Sequence, residues 1–314
     1  MVASLHHITF RERISRHLDV LILLGILIAL IIIASLLSDR FLSRLNIENL
    51  MVQSVGVGIA AFALCGVILT GGIDLSIGLN ITVGNCIASH VFIQSLPLGI
   101  PLVVLTCTLA GFLNGLGITR LRLNPFIMTF GMMLILQGVA LFLRPVPGGE
   151  IPVEFYNLLM NNLGPVPRPF LLLLACFGLS WIILRKTRLG IHIYAIGNDE
   201  GAAALSGIGI ARIKLFAYSL CGFLGGIGAI FYSAQTLSGD PNLGLPITLD
   251  AITAVALGGV PLIGGRGGAM GILIGIFIVT IISNILNLAN VNTFYQYVIK
   301  GTILLVAVAA TSRR

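Results

Sequence analysis

Charged residues are scarce in this chain. They make up only 9% of its 314 residues, while hydrophobic residues make up 57% and the mean hydropathy is +1.06. A water-soluble domain of this size needs many more charges on its surface, so the composition excludes that class. It is typical of an integral membrane protein, whose surface largely faces lipid.

Lysine is rarer still, with Lys186, Lys214 and Lys300 as the full set. A phosphate-binding P-loop needs G-x-x-x-x-G-K-[ST], because glycine amides cradle the phosphates and the lysine reaches their terminal groups. Lys186-Thr187 lacks both glycines. We therefore expect no ATP hydrolysis by a P-loop in this chain, and any energy must come from a partner or from an ion gradient.

The chemistry-bearing residues form no enzyme-like or metal-like pattern. Neither His90 nor His192 has another potential metal ligand at a spacing that metal sites use, and the sequence shows no Ser-His-Asp pattern. The cysteines are odd in number and lack C-x-x-C spacing, which is typical of buried core residues. We expect this chain to bind no metal or cofactor and to catalyse no reaction. The cysteines are Cys65, Cys86, Cys107, Cys176 and Cys221.

Long apolar runs recur from end to end. A spanning helix needs about 20 mostly apolar residues, and ten runs reach or approach that length. They predict an all-α polytopic bundle of about ten transmembrane helices, with nine or eight still possible because the sixth and eighth runs are short. A β-barrel is excluded, since its strands would alternate in polarity. The runs are residues 20–37, 50–69, 75–95, 97–118, 125–143, 169–184, 213–237, 248–264, 269–289 and 296–310.

The basic residues predict the orientation of this bundle. With the N-terminus inside, most of the 18 lysines and arginines fall on the cytoplasmic side, and only Arg40, Arg44, Arg144 and Arg168 fall outside. The positive-inside rule then places both termini in the cytoplasm. The formal charge of +7 therefore indicates topology rather than nucleic-acid binding. Residues 1–18 are predicted to form a cytoplasmic segment and residues 19–314 the membrane domain.

One acid stands at a break between two apolar runs, in the sequence Thr70-Gly71-Gly72-Ile73-Asp74-Leu75-Ser76. Ionisable groups at such positions usually face protein or water and are candidates for function. Asp74 could equally cap the following helix after a turn at Gly71-Gly72. The two interpretations are compatible, and both stay open.

The largest inner polar segment spans residues 185–214. Asn198 or Asp199 is placed to cap a short helix from Glu200 to Leu205, and Gly207 is placed to end it. The segment thus predicts a small exposed helix between two membrane crossings. The largest outer segment, residues 144–168, is rich in proline, which precludes a long regular helix and favours an ordered loop or a short re-entrant piece.

The residues Ile68 to Gly78 closely resemble the signature of permeases from ribose-type ABC sugar importers. The inner segment Gly197 to Gly207 resembles the E-A-A-like docking helix of that family, although Gly201 stands where alanine is more usual. Similarity continues from Tyr218 to Gly222, through residues 249–268 and at 295–301, and so covers nearly everything after about residue 40.

The resemblance implies a permease that forms the translocation path as one of two such subunits in a bacterial plasma (inner) membrane. Its implied partners are two ATP-binding subunits inside, which use the ATP, and an extracytoplasmic sugar-binding protein outside. It further implies that the inner helix docks into the ATPase. The coupling residues are then Asn198, Asp199, Glu200, Ala203 and Gly207.

Sugar passage needs hydroxyl-sized hydrogen-bond partners and an aromatic face. The candidates for the path and its gate are Gly71, Gly72, Asp74, Ser76, Asn80, Asn124, Phe126 and Asn284, with Asn85, Thr129, Gln137 and Asn287 as further polar positions. Each polar side chain could instead hydrogen-bond between helices. Asp250 is expected to cap the outer end of a helix, and Lys300 to pair with an internal acid that the sequence does not name.

Two other functions stay open. An ion-coupled secondary carrier would use Asp74 and Lys300 in a proton or sodium step, and an ABC permease of the same build could serve nucleosides.

A weak sequence similarity between Asn124-Pro125-Phe126 and Asn292-Thr293-Phe294 would fit an inverted repeat, which many transporters contain.

Overall fold

The computed structural model describes residues 10–312, with side chains described from residue 20 to residue 309. The segment predicted over residues 1–18 therefore lies partly outside the described residues. The described part contains thirteen helices and one two-stranded hairpin, in the order α1 (Phe10–Leu37), α2 (Arg44–Leu69), α3 (Ile77–Val91), α4 (Leu96–Thr119), α5 (Pro125–Leu143), α6 (Val153–Met160), β1 (Asn162–Leu163), β2 (Val166–Pro167), α7 (Arg168–Lys186), α8 (Arg188–Asn198), α9 (Glu200–Leu205), α10 (Ile210–Thr236), α11 (Gly244–Leu257), α12 (Ala269–Leu288) and α13 (Thr293–Ser312).

Each of the ten predicted apolar runs overlaps one of these helices. Among the described residues, seven helices are long and apolar enough to cross a membrane: α1, α2, α4, α5, α7, α10 and α12. The all-α polytopic class is therefore confirmed. The count of ten crossings, the side on which the termini lie and the inverted repeat stay predictions.

α2 is the central helix of the bundle. It is mostly buried and packs against α7, α10, α11 and α12. α10 lies closest to α4, where Gly111 and Gly222 face each other so tightly that a Cβ on either would meet the backbone of the other helix. Small residues allow such backbone approach. α1 packs on α12, and its side chains from residue 20 to residue 37 are largely exposed.

The eighth predicted run differs from the observed helix. α11 begins at Gly244 and ends at Leu257, whereas the prediction covered residues 248–264. The remaining apolar residues belong to a loop, residues 258–268, in which Gly259, Gly264, Gly265 and Gly267 have positive φ. Glycine adopts that conformation without steric cost, so the loop can reverse direction where a helix would continue.

The outer segment is ordered as predicted, with the short helix α6 followed by the β1–β2 hairpin. Gly148 in this segment pairs with Gly239, which follows α10. The end of the bundle that carries Gly148 is called the outer end below, and the end that carries α8 and α9 is called the inner end.

Candidate coupling and gating site

The inner polar segment folds into α8 and α9, which meet at Asp199. The Asp199 carboxylate accepts a hydrogen bond from the backbone N–H of Ala202 at 2.9 Å and so caps α9. Gly207 follows the helix with a φ of +79°. The predicted cap, helix and stop are confirmed. α8 was not predicted, although its amphipathic residues are of the kind that a surface helix uses.

One side of α9 is exposed, and the other side packs against the bundle. Ala203 is buried, whereas Leu205 is 93% exposed. The Glu200 carboxylate lies 2.6 Å from the ammonium of Lys214 on α10 and remains about half exposed. α9 therefore presents a carboxylate and an apolar side chain outward while Ala203 holds it to the bundle.

The end of α8 is fastened to the glycine-rich loop. The Asn198 amide donates to the carbonyl oxygens of Tyr194 at 2.8 Å and Gly265 at 3.2 Å. The Tyr194 hydroxyl donates to the carbonyl oxygen of Gly267 at 2.8 Å. A Cβ at Gly197 would overlap the Leu69 carbonyl oxygen. α8 cannot shift without moving either the loop or the end of α2.

The same loop holds the end of α2. The Gly265 N–H donates to the carbonyl oxygen of Leu69 at 3.1 Å. Gly71 has a φ of +76°, and a Cβ there would lie 3.2 Å from the Ile263 carbonyl oxygen. Side chains are rarely tolerated in that conformation. We call this contact the inner joint, which consists of Leu69, Gly71, Gly197, Asn198 and Gly265.

Asp74 lies a few residues beyond the inner joint and is buried. Its Oδ1 accepts from the Ser76 N–H at 2.9 Å and from the Ser76 hydroxyl at 2.6 Å. The Cys221 thiol lies beside this carboxylate. The capping interpretation of Asp74 is confirmed, because its carboxylate accepts from the N–H two residues on, whereas Ser76, the residue before α3, makes no side-chain cap bond of its own. Asp74 thereby fixes the turn that leads into α3.

Helices α4, α5 and α10 supply further polar groups to this turn. The Asn114 amide donates to the Ser76 hydroxyl at 2.8 Å and lies 3.5 Å from both Asp74 oxygens. The Tyr218 hydroxyl donates to the carbonyl oxygen of Ile73 at 3.2 Å, and the Thr129 hydroxyl, which donates to the Pro125 carbonyl oxygen at 2.8 Å, lies 3.3 Å from the same Ile73 oxygen. A Cβ on Gly72 would overlap the Tyr218 hydroxyl. The turn is thus tied to three other helices.

Asn114 has an unusual environment. Among the side chains that the structure describes, its Oδ1 is the one fully buried polar atom without a hydrogen-bond partner. Such atoms are rare because each costs about 1–3 kcal/mol. The turn therefore lies beside one buried acceptor that neighbouring side chains and backbone leave unpaired.

The predicted path residues do not all come together. Asn80 donates to the Cys107 carbonyl oxygen at 3.0 Å, and Asn284 exchanges hydrogen bonds with Asn46 at 2.9 and 3.1 Å. Asn124 caps α5 by accepting from the Phe126 N–H. Phe126 is exposed and stacks on Phe130 with ring centroids 6.0 Å apart. Only Gly71, Gly72, Asp74 and Ser76 form one cluster.

The other polar candidates also bond between or beside helices. Asn85 donates to the Ser233 hydroxyl, Gln137 donates to the Pro241 carbonyl oxygen, and Asn287 accepts from Gln296. The amide of Asn292 accepts from the Phe294 N–H at 3.0 Å, which is the arrangement that Asn124 makes with Phe126. The two similar segments, Asn124–Phe126 and Asn292–Phe294, therefore form the same local cap.

The expectation for Asp250 is wrong, and the one for Lys300 is confirmed. Asp250 lies inside α11 rather than at its end, and its carboxylate pairs with Lys300 of α13 at 2.8 Å. The helix begins at Gly244, six residues earlier, because the chain enters α11 directly from the turn at residues 241–243. Asp250 is therefore the internal acid that the sequence could not name.

Sequence reasoning missed the loop contacts of Tyr194 and the role of Asn114. The glycines of residues 258–268 did carry a signal, since so many in one short stretch favour a turn with positive φ. No comparable signal marked Asn114, which lies in an apolar helix far along the chain from Asp74. Pairing across helices depends on rotation angles that one sequence does not give.

A helical bundle with a polar segment fastened to a buried turn is the architecture of a polytopic membrane transport protein. The chain belongs to the family described as branched-chain amino acid transport system / permease component, which it matches over residues 46–308. The predicted membership among ABC permeases is thereby confirmed.

Three relatives illustrate the match. The ribose import permease protein RbsC of Bacillus subtilis (strain 168) is 38% identical over 290 residues, which cover 91% of this chain and 90% of that protein. RbsC of Escherichia coli (strain K12) is 36% identical, with 92% of each chain covered. The galactose/methyl galactoside import permease protein MglC of the same strain is 32% identical, over 92% of this chain and 93% of that protein. No solved structure matches.

Proposed function

We propose that this chain is the permease subunit of an ABC importer for a ribose-like monosaccharide. It forms the translocation path and couples to a separate ATP-binding subunit. The similarity to sugar import permeases over nine-tenths of the chain supports the substrate class. The observation that carries the coupling role is the inner joint, because it links an exposed helix to the turn that holds Asp74.

The mechanism follows from those contacts. An ATPase that grips α9 would pull on α8, and α8 cannot move without the glycine-rich loop, since Asn198 and Tyr194 are bonded to it. The loop in turn is bonded to the end of α2 at Leu69. A displacement of α9 would therefore displace the turn between α2 and α3, and this displacement would open or close the translocation path.

The partners of this assembly are two ATP-binding subunits at the inner end, a second permease copy or related chain, and an extracytoplasmic sugar-binding protein at the outer end. The membrane is the bacterial plasma (inner) membrane. The half-exposed Glu200 and the exposed Leu205 on α9 are the groups that would meet the ATP-binding subunit. ATP is used by that subunit and not by this chain.

The test is reconstitution of the complete transporter in proteoliposomes with its binding protein. We expect uptake of ribose, or of a closely related monosaccharide, that requires ATP on the side of the ATP-binding subunits. Uptake of nucleosides in place of sugars would correct the substrate class. Uptake driven by a proton or sodium gradient without ATP would overturn the proposal in favour of a secondary carrier.

A further inference from the structure

A cluster of basic residues, called the basic corner below, joins α7 to α8 at the inner end of the bundle. It consists of Arg185 and Lys186, the last two residues of α7, and Arg188, the first residue of α8. All three side chains are exposed. No carboxylate among the described residues pairs with any of them, since the ion pairs of that part of the chain use other cations. The basic corner therefore presents three uncompensated positive charges.

The basic corner lies where the apolar surface of α7 ends. α7 is long and apolar enough to cross a membrane, and its exposed side chains between residues 171 and 182 are all apolar or aromatic. Trp181, the one tryptophan of the chain, is 39% exposed, and the Lys186 ammonium lies 5.6 Å from its ring centroid. Tryptophan is enriched where a membrane helix leaves the hydrocarbon, and basic residues beyond it reach the headgroups. The basic corner is therefore at headgroup depth.

α8 continues along the same surface. It buries Gly190, Ile193 and Ile196 against the bundle, whereas Ile191 is 67% exposed about one turn after Arg188. A helix that exposes an apolar side chain beside a cation is typical of a membrane interface. The N-terminus of α8 also lies at the basic corner, and the N-terminus of a helix favours an anion. Charge, depth and helix direction thus favour one class of ligand, an anion anchored in lipid.

The basic corner is separated from the helix that would meet the ATP-binding subunit. α8 has 11 residues, and at 1.5 Å per residue it is about 16 Å long. The basic corner lies at its first residue and α9 follows its last. An ATP-binding subunit can therefore contact α9 while the basic corner stays on the membrane.

We propose that the basic corner binds the headgroup of an anionic phospholipid in the leaflet at the inner end. The two arginines can each donate two parallel hydrogen bonds to phosphate oxygens, and the lysine adds a point charge. Thr187 orders the junction, because its hydroxyl donates to the Ile183 carbonyl oxygen at 2.6 Å and accepts from the Gly190 N–H at 3.4 Å. A bound headgroup would hold the first turn of α8 at the membrane surface.

This lipid contact has a consequence for coupling, and that consequence alone rests on the proposed function. The last residues of α8, Gly197 and Asn198, belong to the inner joint. A helix fixed to the membrane at its first turn can transmit a pull on α9 to the inner joint without sliding along the surface. Anionic lipid should therefore increase the amount of sugar imported for each ATP hydrolysed.

The first experiment measures lipid binding by the purified full-length chain in detergent, by native mass spectrometry. Phosphatidylglycerol is the probe, and phosphatidylcholine with the same acyl chains is the neutral reference. We expect the first phosphatidylglycerol to bind about tenfold more tightly than phosphatidylcholine. Arg188→Gln should weaken that binding about fivefold, and the addition of Arg185→Gln should weaken it by a similar factor, because each cation near an anionic headgroup contributes a similar amount.

Arg212→Gln is the matched control for Arg188→Gln. Arg212 is also an exposed arginine in the first turn of an inner-end helix, and no described carboxylate pairs with it. It lacks a cluster of free cations, since its neighbour Lys214 is paired with Glu200. The control should bind phosphatidylglycerol as the unmodified chain does. Equal losses in the two variants would overturn the inference in favour of a general attraction to basic residues.

Two competition measurements exclude other occupants of the basic corner. Inorganic phosphate in large excess should not displace phosphatidylglycerol, and displacement would reassign the basic corner as a site for a free anion. Assembly with the ATP-binding subunits should leave the phosphatidylglycerol bound. Its loss on assembly would show that the basic corner is a contact between subunits and would likewise overturn the inference.

A second experiment measures coupling in the reconstituted transporter. Sugar uptake per ATP hydrolysed should rise several-fold when phosphatidylglycerol is added to phosphatidylcholine vesicles, both for the unmodified assembly and for Arg212→Gln. The double variant Arg185→Gln with Arg188→Gln should not respond, and an equal response would reject the link to coupling. The binding measurement needs no transport, so an assembly that imports no sugar would reject the proposed function and leave the lipid site to the first experiment.

Discussion

Asp74 is a buried carboxylate that neutral groups hold in place. Within the described part of the chain, its hydrogen-bond partners are Ser76 and Asn114, Cys221 lies beside it, and no lysine or arginine pairs with it. A carboxylate so placed is sensitive to any loss of donors, because water cannot replace them. The turn between α2 and α3 is therefore specified by a few short hydrogen bonds.

We predict that Asp74→Asn is mild and Asp74→Leu severe. Asparagine keeps the oxygen that accepts from the Ser76 N–H, whereas leucine leaves the Ser76 N–H and the Ser76 hydroxyl without their acceptor, at about 1–3 kcal/mol for each buried group. The folded yield, the temperature of thermal unfolding and the rate of sugar uptake should all fall in the leucine variant. Equal loss of uptake in both variants with normal yield would instead favour an ion-coupled role for Asp74.

At the surface, Glu200 permits a cleaner separation of charge from folding. Glu200→Arg should leave the protein folded, since exposed ion pairs contribute only about 0–1 kcal/mol, yet it should abolish uptake by reversing the charge that α9 presents. The control is the double variant Glu200→Lys with Lys214→Glu, which keeps the pair and reverses its direction. Restored uptake in the double variant would show that only the local pair matters.

At the scale of elements, the inner joint is a contact between backbones. A Cβ at Gly197 would overlap the main chain of Leu69 and Gly265, and a Cβ at Gly265, which has a positive φ, would lie 3.0 Å from the Gly197 carbonyl oxygen. Backbone contacts of this kind transmit a displacement directly, because no long side chain lies between the elements that could absorb it by changing rotamer. The glycine-rich loop thus acts as a rigid link between α8 and α2.

We predict that Gly197→Ala uncouples the transporter. Alanine is the better helix former by about 1 kcal/mol, so α8 itself should not be weakened, and any defect must come from the overlap with Leu69 and Gly265. We expect the assembled complex to hydrolyse ATP while sugar uptake falls at least tenfold.

Gly268→Ala is the matched control for that variant. A Cβ at Gly268 would meet the Tyr194 hydroxyl at 3.6 Å, which is an ordinary contact, and the residue does not have a positive φ. Its uptake should remain near normal. Comparable losses in the two variants would indicate that the loop merely needs glycine and that the joint transmits nothing.

The elements that the sequence predicts well are those whose signal is local. Apolar runs, the cap at Asp199 and the stop at Gly207 each depend on neighbours within a few residues, and all appear in the structure. The end of α11 and the pairing of Asp250 with Lys300 depend on how helices rotate and stack. Asn80 and Asn284 show the same limit, because a polar residue in an apolar helix can face a path or a neighbouring helix with the same sequence around it.

For the whole molecule, energy supply is the property that distinguishes the candidate functions. The purified chain alone in lipid should show no ATPase activity, because it lacks the phosphate-binding loop. The measurement is phosphate release by verified partner-free protein, with the complete complex as the positive control. ATP hydrolysis by this chain alone would contradict the proposal that a separate subunit binds and hydrolyses ATP.

The reciprocal amide pair of Asn46 and Asn284 has a consequence for biogenesis. The two residues are 238 positions apart in the chain, so ribosomes working at about 5–20 residues per second need roughly 10 to 50 s to make the second after the first. During that interval Asn46 enters the membrane without its final partner. The carbonyl oxygen of Phe41 can accept from one N–H of that amide throughout, and we expect a temporary partner, such as the translocation machinery or an insertion chaperone, to pair with the rest of the amide until α12 arrives. Nascent chains truncated before α12 should therefore be retained by that machinery and degraded rather than released into the bilayer.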